Sequence, residues 1–147
     1  MSSNISVVSF FKELNKDSMH LVDEFYDRNV LFRDPLVEIR GREGLRAYYD
    51  RLYRNVKEID FDITYVIQEN NNTALAWKMM LRADNFNGNK PLTVDGSSVI
   101  KFGGTEGKAV YHRDYFDLGE FVYEGIPVLG RLVRFVKGKM AQHHGAA

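Results

Sequence analysis

The chain contains no cysteine, which excludes disulfides, thiolate nucleophiles and cysteine-ligated zinc. It has no excess of either charge, 20 Lys and Arg against 20 Asp and Glu, so nothing in its electrostatics invites nucleic acid and no nucleic-acid partner is expected. No apolar run approaches the ~20 residues that span a bilayer, and Met1 to Ser6 lacks the basic start and apolar core of a signal peptide. A soluble, cytoplasmic protein is the expectation. His20, His112, His143 and His144 lack the spacing of a metal-binding helix, and neither a P-loop, a dinucleotide fingerprint nor a nucleophile elbow occurs. Neither metal nor cofactor is therefore expected.

Aromatics are plentiful, with 10 Phe, 8 Tyr and one Trp. They suit either a large aromatic core or an aromatic-lined cavity. At 147 residues the chain is long enough for one domain with one core, and residues 1–147 read as a single unit.

The first third has helical spacing. Val7, Phe10, Phe11 and Leu14 recur at three- and four-residue intervals; Asp17 or Ser18 can cap a second helix with Met19, Val22 and Phe25 or Tyr26 inward. Val30 to Arg33 reads as a short extended piece stopped at Asp34-Pro35, because the residue before proline is pushed toward extended geometry. Gly41 to Gly44 opens a third helix with Leu45, Tyr48, Tyr49 and Leu52 on one side.

The period then becomes two. Ile59, Phe61, Ile63, Tyr65 and Ile67 share a face, as do Leu75, Trp77, Met79 and Leu81, and Val94, Gly96, Ser98, Ile100 and Phe102. A tight turn at Thr105 to Lys108, with Gly107 at positive φ, leads into the last strand. There Val110, His112, Asp114, Phe116 and Leu118 share a face. An imidazole and a carboxylate two residues apart, among apolar neighbours on an inward face, need a partner or a chemical role. At ~7 Å along the strand they meet through a ligand, a water or a choice of rotamer. Helices followed by a four-strand meander predict an α+β domain with the helices on the concave face of a curved antiparallel sheet.

With Asp34-Pro35 ahead of Gly41-Arg42-Glu43, and His112-Arg113-Asp114-Tyr115-Phe116-Asp117 at the end of the meander, the chain resembles the nuclear transport factor 2-like superfamily. Within it, the SnoaL-like proteins, ketosteroid isomerases and limonene-epoxide hydrolases are the most similar. The resemblance implies a cone-shaped domain, often dimeric, with a cavity between helices and sheet. Asp34 stands at the isomerases' carboxylate base, but Phe10 and Ser98 stand where their oxyanion tyrosine and protonated aspartic acid belong. Asp114 matches an aspartate of the hydrolases' Asp-Arg-Asp set, whose other members fall on Trp77 and Met79. One acidic group of each enzyme is kept and neither set is complete.

The resulting expectation is a homodimer that binds a small, mostly apolar organic molecule. Any chemistry would be cofactor-free acid–base work by Asp34, Asp114 and His112, with Trp77, Met79, Ser98, Phe116, Tyr65 and Phe10 as ligand contacts. A binding module without turnover and an interaction domain with a filled cavity remain the alternatives. Residues 119–140 form an amphipathic segment in which Val128, Leu129, Leu132, Val133, Phe135 and Val136 are apolar and Arg131, Arg134, Lys137 and Lys139 basic. It is expected to seal the cavity mouth or a dimer edge, with peripheral membrane contact through 125–140 as the lesser reading. Residues 141–147 read as a disordered tail.

Overall fold

The computed structural model describes residues 5–117; the segments 119–140 and 141–147 lie outside them. Helix α1 (Val7–Glu13) starts where the Ser6 hydroxyl accepts the Ser9 amide at 3.1 Å. Helix α2 (His20–Phe25) has Met19 at its N-cap without a side-chain bond, contrary to the expected Asp17 or Ser18 cap. Ser18 is spent elsewhere, its Oγ taking the Asn15 amide and donating to the Glu13 carbonyl, both at 2.8 Å. The buried stripe of both helices joins one cluster, in which Phe10 stacks on Phe25 at 4.2 Å.

Strand β1 (Tyr26–Arg33) begins directly after α2, four residues earlier than the sequence pattern suggests. It turns at Asp34 into β2 (Glu38–Arg40), and α3 (Arg42–Tyr53) follows, with Leu45, Tyr48, Tyr49 and Tyr53 buried. The meander is β3 (Val56–Glu69), β4 (Asn72–Ala83), β5 (Leu92–Gly103) and β6 (Lys108–Phe116). Gly107 has the expected positive φ, 69°, and Gly104 a second one of 70°.

The sheet is α+β as expected but larger and mixed. Six strands run in the order β2-β1-β6-β5-β4-β3, a curved sheet that does not close. β1 lies parallel to β6, with Phe32 opposite His112, and β2 pairs antiparallel to β1. The parallel pair escaped the sequence reading because the first residues of β1 continue the pattern of the helix before it. It matters for the site, because it brings the start of β1 beside the imidazole of β6.

One bulge corrects a site residue. Ile63 faces Trp77 across β3 and β4, but Tyr65 faces Ala76, so the register slips at Thr64. A one-residue slip moves every later side chain to the other face. Tyr65 is thus on the outer face, 61% exposed, and not a cavity contact.

Candidate functional site

Between the helices and the inner face of the sheet lies a cavity of about 680 Å³. Phe10, Phe61, Trp77, Met79 and Phe116 supply much of its apolar wall, and Asp34, Tyr48, His112 and Asp114 its polar groups. Of the expected ligand contacts, Phe10, Trp77, Met79 and Phe116 line it. Tyr65 does not, and neither does Ser98, which is fully buried behind it.

His112 and Asp114 meet directly, without a mediating molecule. Their side chains lean together so that His112 Nε2 is 2.6 Å from Asp114 Oδ1. Ser98 Oγ donates to the same oxygen at 2.5 Å, because Ser98 is the cross-strand partner of Asp114. Trp77 Nε1–H in turn donates to Ser98 Oγ at 2.9 Å. An indole N–H can only donate, so the serine hydrogen is committed to the carboxylate. Neither the Ser98 hydrogen nor the Trp77 N–H is left for a ligand oxygen.

The other side of His112 faces tyrosines. Tyr26 Oη is 2.6 Å from Nδ1 and 2.9 Å from Tyr49 Oη. In the neutral ring, Nε2–H donates to the carboxylate, Nδ1 accepts from Tyr26, and Tyr26 accepts from Tyr49. Two chains of hydrogen bonds, Trp77–Ser98 and Tyr49–Tyr26–His112, therefore converge on one oxygen. Among the described residues nothing bonds to Asp114 Oδ2, and the Asp114 side chain keeps 18% of its surface exposed, against 2% for His112. Phe32 and Phe11 close over the imidazole, at 5.1 and 5.8 Å between ring centres.

Asp34 is differently placed. Its Oδ1 accepts the Leu36 and Val37 amides at 2.8 and 2.9 Å, the turn role that aspartate often plays before proline, and its Oδ2 accepts the Tyr48 hydroxyl at 2.6 Å. Both oxygens are engaged, so Asp34 is an anchor in the cavity wall and Asp114 the carboxylate with a free edge. Arg33 pairs with Glu38 and Arg82 with Glu58 rather than with Asp114.

The tyrosines are the part of the site that sequence reasoning missed. Tyr26, Tyr48 and Tyr49 were legible only as buried helix-face residues, and Tyr53 carried no signal. Burial is the main cause that holds the hydroxyls of Tyr26 and Tyr49 far above the ordinary tyrosine range, and the Asp114 charge adds to it. Burial likewise raises Tyr48, helped by its bond to Asp34, and Tyr53, helped by Asp114. All four remain O–H donors at any ordinary pH. The folded state holds these protons, and the unfolded chain releases them near pH 10.0. Stability is complete below that value and falls as pH rises past it, by up to ~1.4 kcal/mol per pH unit for each such tyrosine. Urea melts between pH 9 and 11 should show that loss, with a shallower slope in Tyr49→Phe; an unchanged slope would mean that Tyr49 is not desolvated.

Among the described residues no three His, Asp or Glu side chains converge as a metal site requires, and no helix is long and apolar enough to cross a membrane.

The profile of the SnoaL-like domain family matches residues 7–112. No curated protein sequence matches significantly. A candidate SnoaL-like polyketide cyclase from Shewanella denitrificans is 18% identical over 78% of this chain and 90% of that chain, with a TM-score of 0.67. A protein of ketosteroid isomerase-like fold from Catenulispora acidiphila, solved in complex with trimethylamine, is 13% identical over 80% and 86%, with a TM-score of 0.65. An LEH-like epoxide hydrolase from M. tuberculosis is 18% identical over 84% of each chain, with a TM-score of 0.64. At such identities the structures establish the nuclear transport factor 2-like fold, and the reaction has to be argued from the site.

Proposed function

The chain belongs to the SnoaL-like domain family, and from that premise we propose that its cavity binds a small, mostly apolar organic molecule and moves a proton on it with the chain's own side chains. One observation carries the reading: Asp114, which lines the largely aromatic cavity, has one oxygen held by Ser98 and His112 and the other without a hydrogen bond among the described residues. A carboxylate fixed from behind, with a bare edge in a low-dielectric space, suits a general base. Asp114 Oδ2 takes the proton. His112, whose Nε2–H already donates to the neighbouring oxygen, stabilises the carboxylate and orients it. Asp34 and Tyr48 define the far polar wall and set the pose rather than the chemistry.

The cavity volume of about 680 Å³ lies within the usual range for small-molecule sites. Trp77, the only tryptophan, lines it and reports occupancy by fluorescence. Naphthalene and 2-naphthol should both quench Trp77. Asp114→Asn should weaken 2-naphthol, whose hydroxyl donates to Oδ2, by about tenfold, the worth of one hydrogen bond to a charged group, and leave naphthalene unchanged. For the chemistry, solvent deuterium exchange into 2-tetralone, an acidic carbon acid of suitable size, should be accelerated by the protein. Loss of the base in Asp114→Asn should slow it by roughly 10²-fold or more. Binding without exchange would reduce the protein to a binding module, and absence of any quenching would remove the ligand reading altogether.

A further inference from the structure

The cavity wall carries many hydrogen-bond donors, and within the described residues nearly all are committed. Tyr48 donates to Asp34, Trp77 to Ser98 and His112 to Asp114. Tyr49 gives its hydrogen to Tyr26, and Tyr26 gives its own to His112 Nδ1. Asn55, Asn85 and Arg51 are exposed residues of the rim. Tyr53 differs. It lines the same cavity and is only 9% exposed, yet its hydroxyl has no hydrogen-bond partner among the described residues. No fully buried side-chain oxygen or nitrogen among them lacks a partner. The unbonded Tyr53 Oη therefore still touches open space, and the cavity is the space that Tyr53 lines. Its ring is held edge-on against Tyr49, one turn back on α3, at 6.0 Å between centres. Burial first, and the Asp114 charge second, keep this phenol protonated, so it meets a ligand as a donor.

We infer that Tyr53 donates its phenolic hydrogen to a carbonyl oxygen of the bound molecule, whose neighbouring C–H carbon faces Asp114 Oδ2. A cavity of 680 Å³ is about 11 Å across if taken as a sphere, so one bicyclic molecule can touch both groups. A buried hydroxyl without an acceptor bears a desolvation cost that a ligand oxygen removes, and an apolar ligand lacking that oxygen leaves the cost in place. The acceptor is uncharged. The interior charges are those of Asp34 and Asp114, and Arg51 stands at the exposed rim, so a buried carboxylate ligand would find no countercharge. That leaves a ketone or aldehyde. On proton transfer the C–H bond breaks and its electron pair forms the C=C bond of an enolate. The carbonyl π pair moves onto oxygen, where Tyr53 O–H already donates, and the proton rests on Asp114 Oδ2 until it exchanges with solvent or returns to carbon. A donor placed where charge develops lowers the barrier more than it tightens binding. This proton step rests on Asp114 acting as the base; the Tyr53 hydrogen bond does not.

The infrared carbonyl stretch of 2-tetralone bound to the full chain, with carbon-13 at the carbonyl, reads this hydrogen bond directly. The band should lie below its position in cyclohexane, and Tyr53→Phe should return it there. By Trp77 quenching, Tyr53→Phe should weaken 2-tetralone about three- to tenfold, the worth of one neutral hydrogen bond. Tetralin, which lacks the oxygen, should bind the two proteins equally. Deuterium exchange into 2-tetralone should slow by roughly 10²-fold. The Tyr53 hydroxyl has no partner among the described residues to lose, so the denaturant midpoint of Tyr53→Phe should match that of the parent and exclude a disturbed fold. A band at the cyclohexane position in the parent overturns the inference without any variant, and so does a lowered band that survives Tyr53→Phe. A lowered, Tyr53-dependent band without exchange upholds the Tyr53 contact and removes Asp114 as the base. Exchange with a band indifferent to Tyr53→Phe upholds the base and overturns the contact.

Discussion

Asp114→Ala is expected to destabilise the protein by about 2–5 kcal/mol, the cost of leaving two buried donors without their shared acceptor. The substitution leaves the Ser98 hydroxyl and the His112 Nε2–H, on residues 0% and 2% exposed, facing a void. Each then bears the desolvation penalty of an unmade hydrogen bond. The melting temperature should fall by on the order of 10 °C. Asp114→Asn should behave otherwise, because its amide oxygen can accept both donors where Oδ1 did. That variant loses the charge and the free carboxylate edge while keeping the anchor, at a cost within ~1–2 kcal/mol. The pair of variants separates structure from chemistry: alanine reports the anchor, and asparagine reports the base. Denaturant melts of both, read by circular dichroism, decide the matter. An alanine variant within ~1 kcal/mol of the parent would mean that the converging hydrogen bonds do not hold the site together.

Gly96→Ala is expected to cost about 2–4 kcal/mol, although it adds one methyl group. Gly96 sits opposite Trp77 in the β4–β5 ladder and opposite Phe116 in the β5–β6 ladder. A Cβ there would lie 2.3, 2.5 and 2.7 Å from three carbons of the indole, far inside contact distance. The indole has little room to yield. Its N–H is bonded to Ser98, and the Phe61 and Phe116 rings stand against it at 5.3 and 6.4 Å. The displaced ring would break its bond to Ser98 and move into the cavity, shifting the emission of the only tryptophan to the red. A double-mutant cycle checks the cause: in a Trp77→Phe background, with a smaller ring over the glycine, Gly96→Ala should cost much less. An equal cost in both backgrounds would place the strain elsewhere.

What each strand presents to the core was legible from the chain alone. Period-two alternation put Trp77 and Met79, Gly96 and Ser98, and His112, Asp114 and Phe116 on their inward faces, because successive side chains of a strand must point to opposite sides. The helical spacing of Phe10 and of Tyr48 and Tyr49 likewise identified buried helix faces, and the turn glycine at 107 followed from the need for positive φ. The absence of cysteine and of charge excess excludes whole classes of chemistry. Those are local consequences of backbone geometry, and they need no partner to be read.

The hydrogen bonds that make the site were decided only in three dimensions. Tyr26 meets His112 across 86 residues of sequence because β1 pairs parallel with β6, and parallel pairing has no tight turn to announce it. Trp77 and Ser98 consumed each other's polar groups because the strand register set them side by side, so two residues with free donors in the sequence have none in the fold. Tyr65 left the cavity through a single slipped residue at Thr64, which alternation alone cannot reveal. Periodicity fixes which way a side chain points along its own strand, whereas register and long-range packing choose its neighbours. Whether Asp34 or Asp114 keeps a free oxygen is a question about neighbours, and only the tertiary structure could answer it.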